Sequence, residues 1–348
     1  MNLRPFGLFY HDIGIDLGTA NTLVYVRNQG IVINEPSVVA INQKTKQILA
    51  IGNEAKKMAG RTPTHIVVIR PLVDGVISDF EVTEQMLRYF ISKVQKDKWN
   101  FLVRSRVVIG IPYGVTDVEK RAVEEAAQNA GAREIYLIEE PIAAAIGARL
   151  PIQEASGSII VDIGGGTTEV AVIAYGSIVS SRSLRIAGDE MNRNIVDFAR
   201  EQFNLLVGER TAEELKIALA SALPLKEKKT YPLRGRDLVS GLPREIIVDD
   251  EMIRHAISRS IMTIVETIRV TMEESPPELV ADIIDRGIMM AGGGALIRGL
   301  DRLISQHTKT KVYVTDDPLT TVARGTGVVL EDLDSLREVL LSSSQKTR

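Results

Sequence analysis

Ile15-Asp16-Leu17-Gly18-Thr19-Ala20-Asn21-Thr22 and Val161-Asp162-Ile163-Gly164-Gly165-Gly166-Thr167-Thr168 are two copies of one pattern. Each reads apolar, Asp, apolar, Gly, then small and hydroxyl residues before a further apolar run. The copies lie 146 residues apart, about one domain length. A repeat at that spacing predicts two similar domains facing each other across a cleft. The pattern also predicts a chemistry. A phosphate chain needs several backbone N–H donors at close range, and a turn without Cβ atoms lets the backbone approach. Gly18, Thr19, Ala20 and Asn21 form one candidate phosphate turn. Gly164, Gly165 and Gly166, with Thr167, form the other. Asp16 and Asp162 precede these turns, at strand ends that would face the cleft. Two carboxylates there suit Mg2+, a hard octahedral ion that keeps several of its waters. One Gly hairpin alone is more often a plain turn; the matched pair is what points to phosphate.

Working outward, strand-like and helix-like segments alternate, which predicts an α/β architecture. Ile13 to Val26 and Ser158 to Val172 each read as strand, Gly turn, strand. Ile66 to Val76 is apolar and β-rich, and Val82 to Val94 is an amphipathic helix. Val107 to Ile111 is a buried type of strand. Thr116-Asp117-Val118-Glu119 matches a capping box, predicting a helix to about Ala130 with Gly131 as its left-handed stop. Glu134 to Ile138 is a strand, and Pro141 suits the first turn of the next helix. Helices are predicted over Asp189 to Phe203 and Glu213 to Ala222, and a polar two-strand excursion over Leu233 to Val248. Glu251 to Glu273 carries apolar residues at helical spacing, and Ser275-Pro276-Pro277 should stop it. Gly287 to Ala291 reads as a strand and Leu296 to His307 as a helix. The polar tail after Leu341 reads as disordered.

Two further features bear on the cleft. Gly292-Gly293-Gly294-Ala295, after a buried strand, could let a flat ring lie against bare backbone at a helix start that favours anions. A tightly packed strand-to-helix turn explains the same residues equally well. Glu140, in Glu139-Glu140-Pro141, could orient a water attacking a γ-phosphate, with Thr167 as the second contact. It could equally cap the helix that Pro141 opens.

The totals narrow the function classes. The chain's 348 residues suggest about two domains, at roughly 100–200 residues each. There are no cysteines, which excludes disulfides, thiolate metal sites and cysteine nucleophiles. His11, His65, His255 and His307 are too scattered to ligate one metal. The net charge of -3 argues against a general nucleic-acid surface. The basic stretch with Lys226, Lys228, Lys229, Arg234 and Arg236 reads as a solvated outer loop. No apolar run approaches the ~18 residues of a membrane span, and Met1 to Tyr10 lacks a signal-peptide pattern. A cytoplasmic protein is expected.

Asp16 to Thr22, Asn34-Glu35-Pro36-Ser37, Arg70-Pro71, Asp74 to Ile77, Asp79-Phe80, Glu140-Pro141, Ala143 to Gly147, Asp162 to Glu169, Gly188-Asp189, Pro276 to Leu279 and Gly292 to Ala295 together carry a resemblance. The chain is similar to the actin/sugar-kinase/heat-shock ATPase superfamily, and within it to the MreB family of bacterial actin homologues. The match runs through nearly the whole chain, with no gap in the nucleotide motifs. It implies an α/β, actin-like ATPase fold of two duplicated ribonuclease-H-like domains, four subdomains in all, around a nucleotide cleft. The first domain would be 1–145, with core 1–31 and 80–145 and a small insertion 32–79. The second would be 146–341, with core 146–180 and 250–341 and a small subdomain 181–249, leaving 342–348 as a disordered tail. The implied cofactors are ATP/ADP and Mg2+. Gly18 to Asn21 and Gly164 to Gly166 would hold phosphates, and Asp16 and Asp162 would position Mg2+ through water. Glu140 and Thr167 would position the hydrolytic water. Ala212, Glu213, Glu214 and Lys216 would flank the nucleoside, and Gly292, Gly293, Gly294 and Ala295 would line the adenine side. A slow ATPase coupled to assembly follows.

The resemblance also implies partners: the chain itself, as a homopolymer of paired protofilaments; the inner face of the cytoplasmic membrane; and wall-elongation membrane proteins of the RodZ, MreC and MreD type. No nucleic acid is implied. The segment Lys96 to Arg106 sets Trp99, Phe101 and Leu102 among basic residues, a composition suited to a headgroup-level anchor. A loop with its aromatics packed inward has the same composition. Phe6, Leu8 and Phe9 could supply a second insertion, though Pro5 and Gly7 oppose a long amphipathic helix there. A small-molecule kinase of the same fold needs a general base for its acceptor, and no suitable Asp stands out. A chaperone of this fold is expected to carry a peptide-binding domain beyond the ATPase.

Overall fold

The computed structural model describes residues 12–94 and 105–341. The chain divides into two compact units, Met1–Pro151 with Thr320–Arg348, and Ile152–Leu319.

The first unit is built on a five-stranded sheet. Its spatial order is Glu134–Glu139, Arg106–Ile111, Ile13–Leu17, Asn21–Val26, Gly30–Pro36. The first three of these run parallel, and the last two turn back antiparallel. Nearly every side chain of Ile13–Leu17 and Arg106–Ile111 is buried, as befits central strands covered on both faces. The helix Phe80–Val94 covers the sheet with Val82, Met86, Leu87, Phe90 and Ile91. The helix Asp117–Asn129 begins with the expected capping box between Thr116 and Glu119, and Gly131 follows it at φ 104. A small sheet of Ile48–Ile51, Val39–Asn42 and Ile66–Ile69 is inserted after Pro36. Buried Glu35 ties this insertion down: its carboxylate accepts the Asn53 N–H at 3.2 Å and pairs with Lys93 on the long helix.

The second unit repeats the scheme. Its sheet order is Val312–Val314, Ile288–Ala291, Ser158–Ile163, Thr168–Ala174, Ser177–Leu184, again three parallel strands followed by an antiparallel meander. The strand–turn–strand copies thus occupy equivalent positions in two sheets of the same topology. A second small sheet joins Leu205–Leu206, Thr230–Asp237 and Pro243–Asp249. The helix Asp250–Glu273 supplies the core stripe Ile253, Ile257, Ile261, Ile264, Val265, Ile268 and Met272. Its N-cap is Asp249, whose side chain accepts the Met252 N–H at 2.9 Å.

Several boundaries differ from expectation. The second unit is not 146–341. The helix Thr321–Glu331, which the sequence pattern did not announce, belongs to the first unit, packed against the fully buried helix Glu140–Gly147. Glycine permits this approach: a Cβ on Gly147 would lie 1.9 Å from the Thr321 carbonyl oxygen, and one on Gly325 only 1.8 Å from that of Ala143. Pro276-Pro277 does end the long helix, but Pro277 also opens a further helix, Pro277–Arg286, at its first turn. The helix expected from Glu213 spans Glu209–Leu219. The helix expected from Leu296 starts only at Leu300, because Gly299 takes φ 77 before it. No described helix is long and apolar enough to cross a membrane. Phe6, Leu8, Phe9, Trp99, Phe101, Leu102 and the tail 342–348 lie outside the described residues.

Candidate phosphate-binding site

The parallel strands of each sheet carry their candidate residues at their carboxyl ends, where open α/β sheets bind ligands. In the first unit, Asp16 stands beside Gly110 in parallel register, and Ile138 stands beside Gly110 on its other side. The chain then runs from Glu139 directly into the helix Glu140–Gly147. Glu140 is buried in the first turn of that helix. The N-cap position is Glu139, without a side-chain capping bond. Burial raises the carboxyl of Glu139 above its usual range, with Lys120 opposing.

The turn Gly18 to Asn21 closes on itself: a Cβ on Gly18 would lie 2.7 Å from the Asn21 carbonyl oxygen. Its outer side is held from the inserted segment. Ser37 donates its amide to the Ala20 carbonyl at 3.0 Å and its hydroxyl to the Gly18 carbonyl at 2.6 Å. The Thr19 hydroxyl accepts the Gly75 N–H at 3.1 Å. In the second unit, the Gly164 N–H closes the turn onto the Thr167 carbonyl at 2.9 Å. The carbonyls of Gly164 and Gly165 accept the amides of Gly188 and Asp189, at 3.2 and 2.8 Å, from the start of the helix Gly188–Phe203. Thr168 donates its hydroxyl to the Ile186 carbonyl at 2.7 Å.

With these carbonyls engaged, the amides of Thr19, Ala20, Gly165 and Gly166 have no acceptor among the described residues. Unpaired backbone donors clustered at a Gly turn are what an anion requires. Asp162 is buried, and its Oδ1 has no hydrogen-bond partner. Burial without a compensating partner pushes its carboxyl up to about 6. Asp16 is half-buried.

The remaining predicted residues divide. Lys216 reaches the second loop, its Nζ donating to the Gly188 carbonyl at 2.8 Å. Glu213 is half-buried on the same helix, exposed Glu214 pairs with Arg210 at 3.0 Å, and the side chain of Ala212 sits in the apolar core. Gly292 and Gly294 have packing reasons of their own. Gly292 has φ 77, and a Cβ there would lie 2.3 Å from Asp162 Oδ1. A Cβ on Gly294 would lie 2.1 Å from Ile163 Cγ2. Gly293 is exposed, and Ala295 is buried. This turn opens one 3-10 turn, Gly293–Leu296, and not the expected α-helix, so no helix N-terminus faces an anion there. Ser37, Gly75 and Ile186 were not read as part of the site. Ser37 and Gly75 carried a signal, lying in the quoted Asn34 to Ser37 and Asp74 to Ile77 motifs; Ile186 carried none.

The sequence matches the family model described as MreB/Mbl protein over residues 10–338. The chain is a member of the MreB/Mbl family. Among curated MreB/Mbl relatives, it is 51% identical to the cell shape-determining protein MreB of Escherichia coli strain K12 over 338 residues, covering 95% of this chain and 97% of that one. It is 48% identical to the cell shape-determining protein Mbl of Bacillus subtilis strain 168 over 335 residues, covering 96% and 100%. Among solved MreB structures, MreB5 of Spiroplasma citri bound to ADP superposes with TM-score 0.89 at 37% identity, covering 94% of this chain and 98% of that one. The same protein bound to AMPPNP gives the same values. A MamK double helical filament, 23% identical with TM-score 0.78, shares the fold. The fold of this MreB/Mbl chain is actin-like.

Proposed function

We propose that this chain is an ATP-dependent filament protein that assembles under the cytoplasmic membrane and directs wall synthesis to maintain rod shape. One observation carries the nucleotide reading: two loops of the same design, at the carboxyl ends of two sheets of the same topology, present backbone amides without acceptors. The names of the curated relatives and the nucleotides bound to the Spiroplasma citri relative support it. They do not favour a small-molecule kinase.

In this reading Gly18 to Asn21 and Gly164 to Gly166 hold ATP phosphates. Lys216, with Glu213, Glu214 and the Ala212 backbone, flanks the nucleoside, and Gly292 to Ala295 line the adenine side. Asp16 and Asp162 fit Mg2+ held through water. Asp162 Oδ1, buried without a hydrogen-bond partner, is the observation that fits a water-mediated cation. When bound, Mg2+ would supply charge neutralisation at the phosphates. The Glu140 carboxylate accepts a hydrogen bond from the attacking water, and the Thr167 hydroxyl fixes its direction. The water oxygen bonds to the γ-phosphorus as the bond to the bridging oxygen breaks, and the water's proton passes to the departing phosphate, giving ADP and phosphate. Orienting one water lowers only part of the barrier, so turnover is slow.

Paired protofilaments make many weak membrane anchors act together. Trp99, Phe101 and Leu102, with Phe6, Leu8 and Phe9, are the proposed anchors, and RodZ, MreC and MreD type proteins the proposed partners. The test is the purified protein with ATP and Mg2+ on anionic vesicles, followed by pelleting and electron microscopy. Filaments on the vesicles are expected; monomers under every condition would refute the reading. Glu140→Ala should still bind ATP but release phosphate at least roughly 100-fold more slowly. Unchanged turnover removes Glu140 from its role.

A further inference from the structure

Ser37 lies outside the phosphate loops in sequence, yet it holds two of the four carbonyl groups of the first. The direction of its hydrogen bonds follows from chemistry. The Gly18 carbonyl can only accept, so the single Ser37 hydroxyl proton points to it across 2.6 Å. Thr22 Oγ1 lies 2.9 Å from Ser37 Oγ and must then be the donor of that pair. The result is a relay, Thr22 O–H to Ser37 O–H to Gly18 C=O, in which the two hydroxyl-bearing residues are fully buried.

In a trans peptide the C=O of one residue and the N–H of the next point in opposite directions. Pinning the Gly18 carbonyl toward Ser37 therefore turns the Thr19 N–H away from Ser37. Pinning the Ala20 carbonyl with the Ser37 amide does the same for the Asn21 N–H. One residue thus sets the direction of two loop donors. The second loop obeys the same rule by other means: Gly188 and Asp189 pin the Gly164 and Gly165 carbonyls, and the amides of Gly165 and Gly166 are turned outward.

We infer that Ser37 is a positioning residue for phosphate binding, aiming the amides of the first loop through the Gly18 and Ala20 carbonyls. The inference rests on the nucleotide reading above and goes beyond it, because it assigns a residue that would touch neither nucleotide nor metal. The experiment compares ATP with adenosine as ligands for the full chain, by calorimetry for ATP and by competition for adenosine. Ser37→Ala keeps the amide bond to Ala20 but removes the hydroxyl bond to Gly18. Its ATP affinity should fall about five- to tenfold while its adenosine affinity stays unchanged. Thr22→Val removes the buried neighbour but leaves the Ser37–Gly18 bond; it should lower the melting temperature without changing the ratio of the two affinities. If Ser37→Ala does not fold, Ser37→Cys keeps a weaker donor at similar volume and should lose a smaller part of the same ratio. Unchanged ATP affinity in the folded Ser37 variant overturns the inference. So does an equal loss for ATP and adenosine, or the same ratio change in Thr22→Val. If the parent chain fails to bind ATP, it is the nucleotide reading that falls, whatever Ser37 does.

Discussion

In the second phosphate loop, main-chain amides from the start of a helix grip the carbonyls of Gly164 and Gly165. In the first, a single residue of an inserted segment grips those of Gly18 and Ala20, and one of its two bonds is a side-chain hydroxyl. Backbone donors are supplied by almost any sequence that folds there. What the second loop requires is room: a Cβ on Gly188 would lie 3.2 Å from Lys216 Nζ and 3.3 Å from the Gly164 carbonyl oxygen. The first loop can be altered by deleting one oxygen atom. Both loops are sensitive to crowding, since a Cβ on Gly18 would lie 2.7 Å from the Asn21 carbonyl oxygen, but the first depends in addition on a side-chain hydroxyl that holds one of its carbonyls.

The largest effect should come from crowding. Gly292→Val sets a branched side chain at φ 77 against Asp162 and the Ile163 carbonyl. We expect a loss of roughly 4 kcal/mol or more in unfolding experiments, with the second loop disordered. A near-native melting temperature would show that crowding does not limit this loop.

Next is Asp162. Its folded carboxyl, at about 6, holds its proton to higher pH than in the unfolded chain. The charged carboxylate therefore costs stability, and the cost grows as pH rises from about 4 through 6 and is constant above. Without nucleotide or metal, Asp162→Asn should be more stable than the parent by about 2–3 kcal/mol at pH 7, with the difference gone below about pH 4. Denaturant titrations at the two pH values measure this.

Thr168→Val should cost about 1 kcal/mol by freeing the Ile186 carbonyl, and should shift the melting temperature more than it shifts ATP affinity. The smallest effect belongs to Glu214→Ala. An exposed i, i+4 pair contributes about 0.3–0.5 kcal/mol, so a large drop in ATP affinity with little change in stability would mark Glu214 as a direct nucleotide contact.

Much of this was legible because local pattern and tertiary role agree. The duplicated strand–turn–strand, the Thr116–Glu119 capping box and the stripe of Ile253 to Met272 are local signals that the fold leaves intact. The helix Thr321–Glu331 carries Gly325 and Gly327, which weaken any local helix signal. Their reason is tertiary: the Ala143 carbonyl and the Tyr25 ring occupy the space a Cβ would need. The Gly292 turn was ambiguous for the opposite reason, since turn chemistry, close packing and ligand contact all favour glycine. Ser37 sat in a motif whose role could not be read, because its partners are 17 and 19 residues back in the chain.

The close crossing of the helices Glu140–Gly147 and Thr321–Glu331 has a consequence for biosynthesis. The second unit is one continuous run, whereas the first is completed only by residues that follow the second. During translation the helix Glu140–Gly147, all eight of its residues buried in the fold, cannot meet Thr321–Glu331 until the whole of the second unit has been made. The usual order, in which the amino-terminal domain finishes first, is inverted. The second unit can fold as soon as it is made, and the first closes after it.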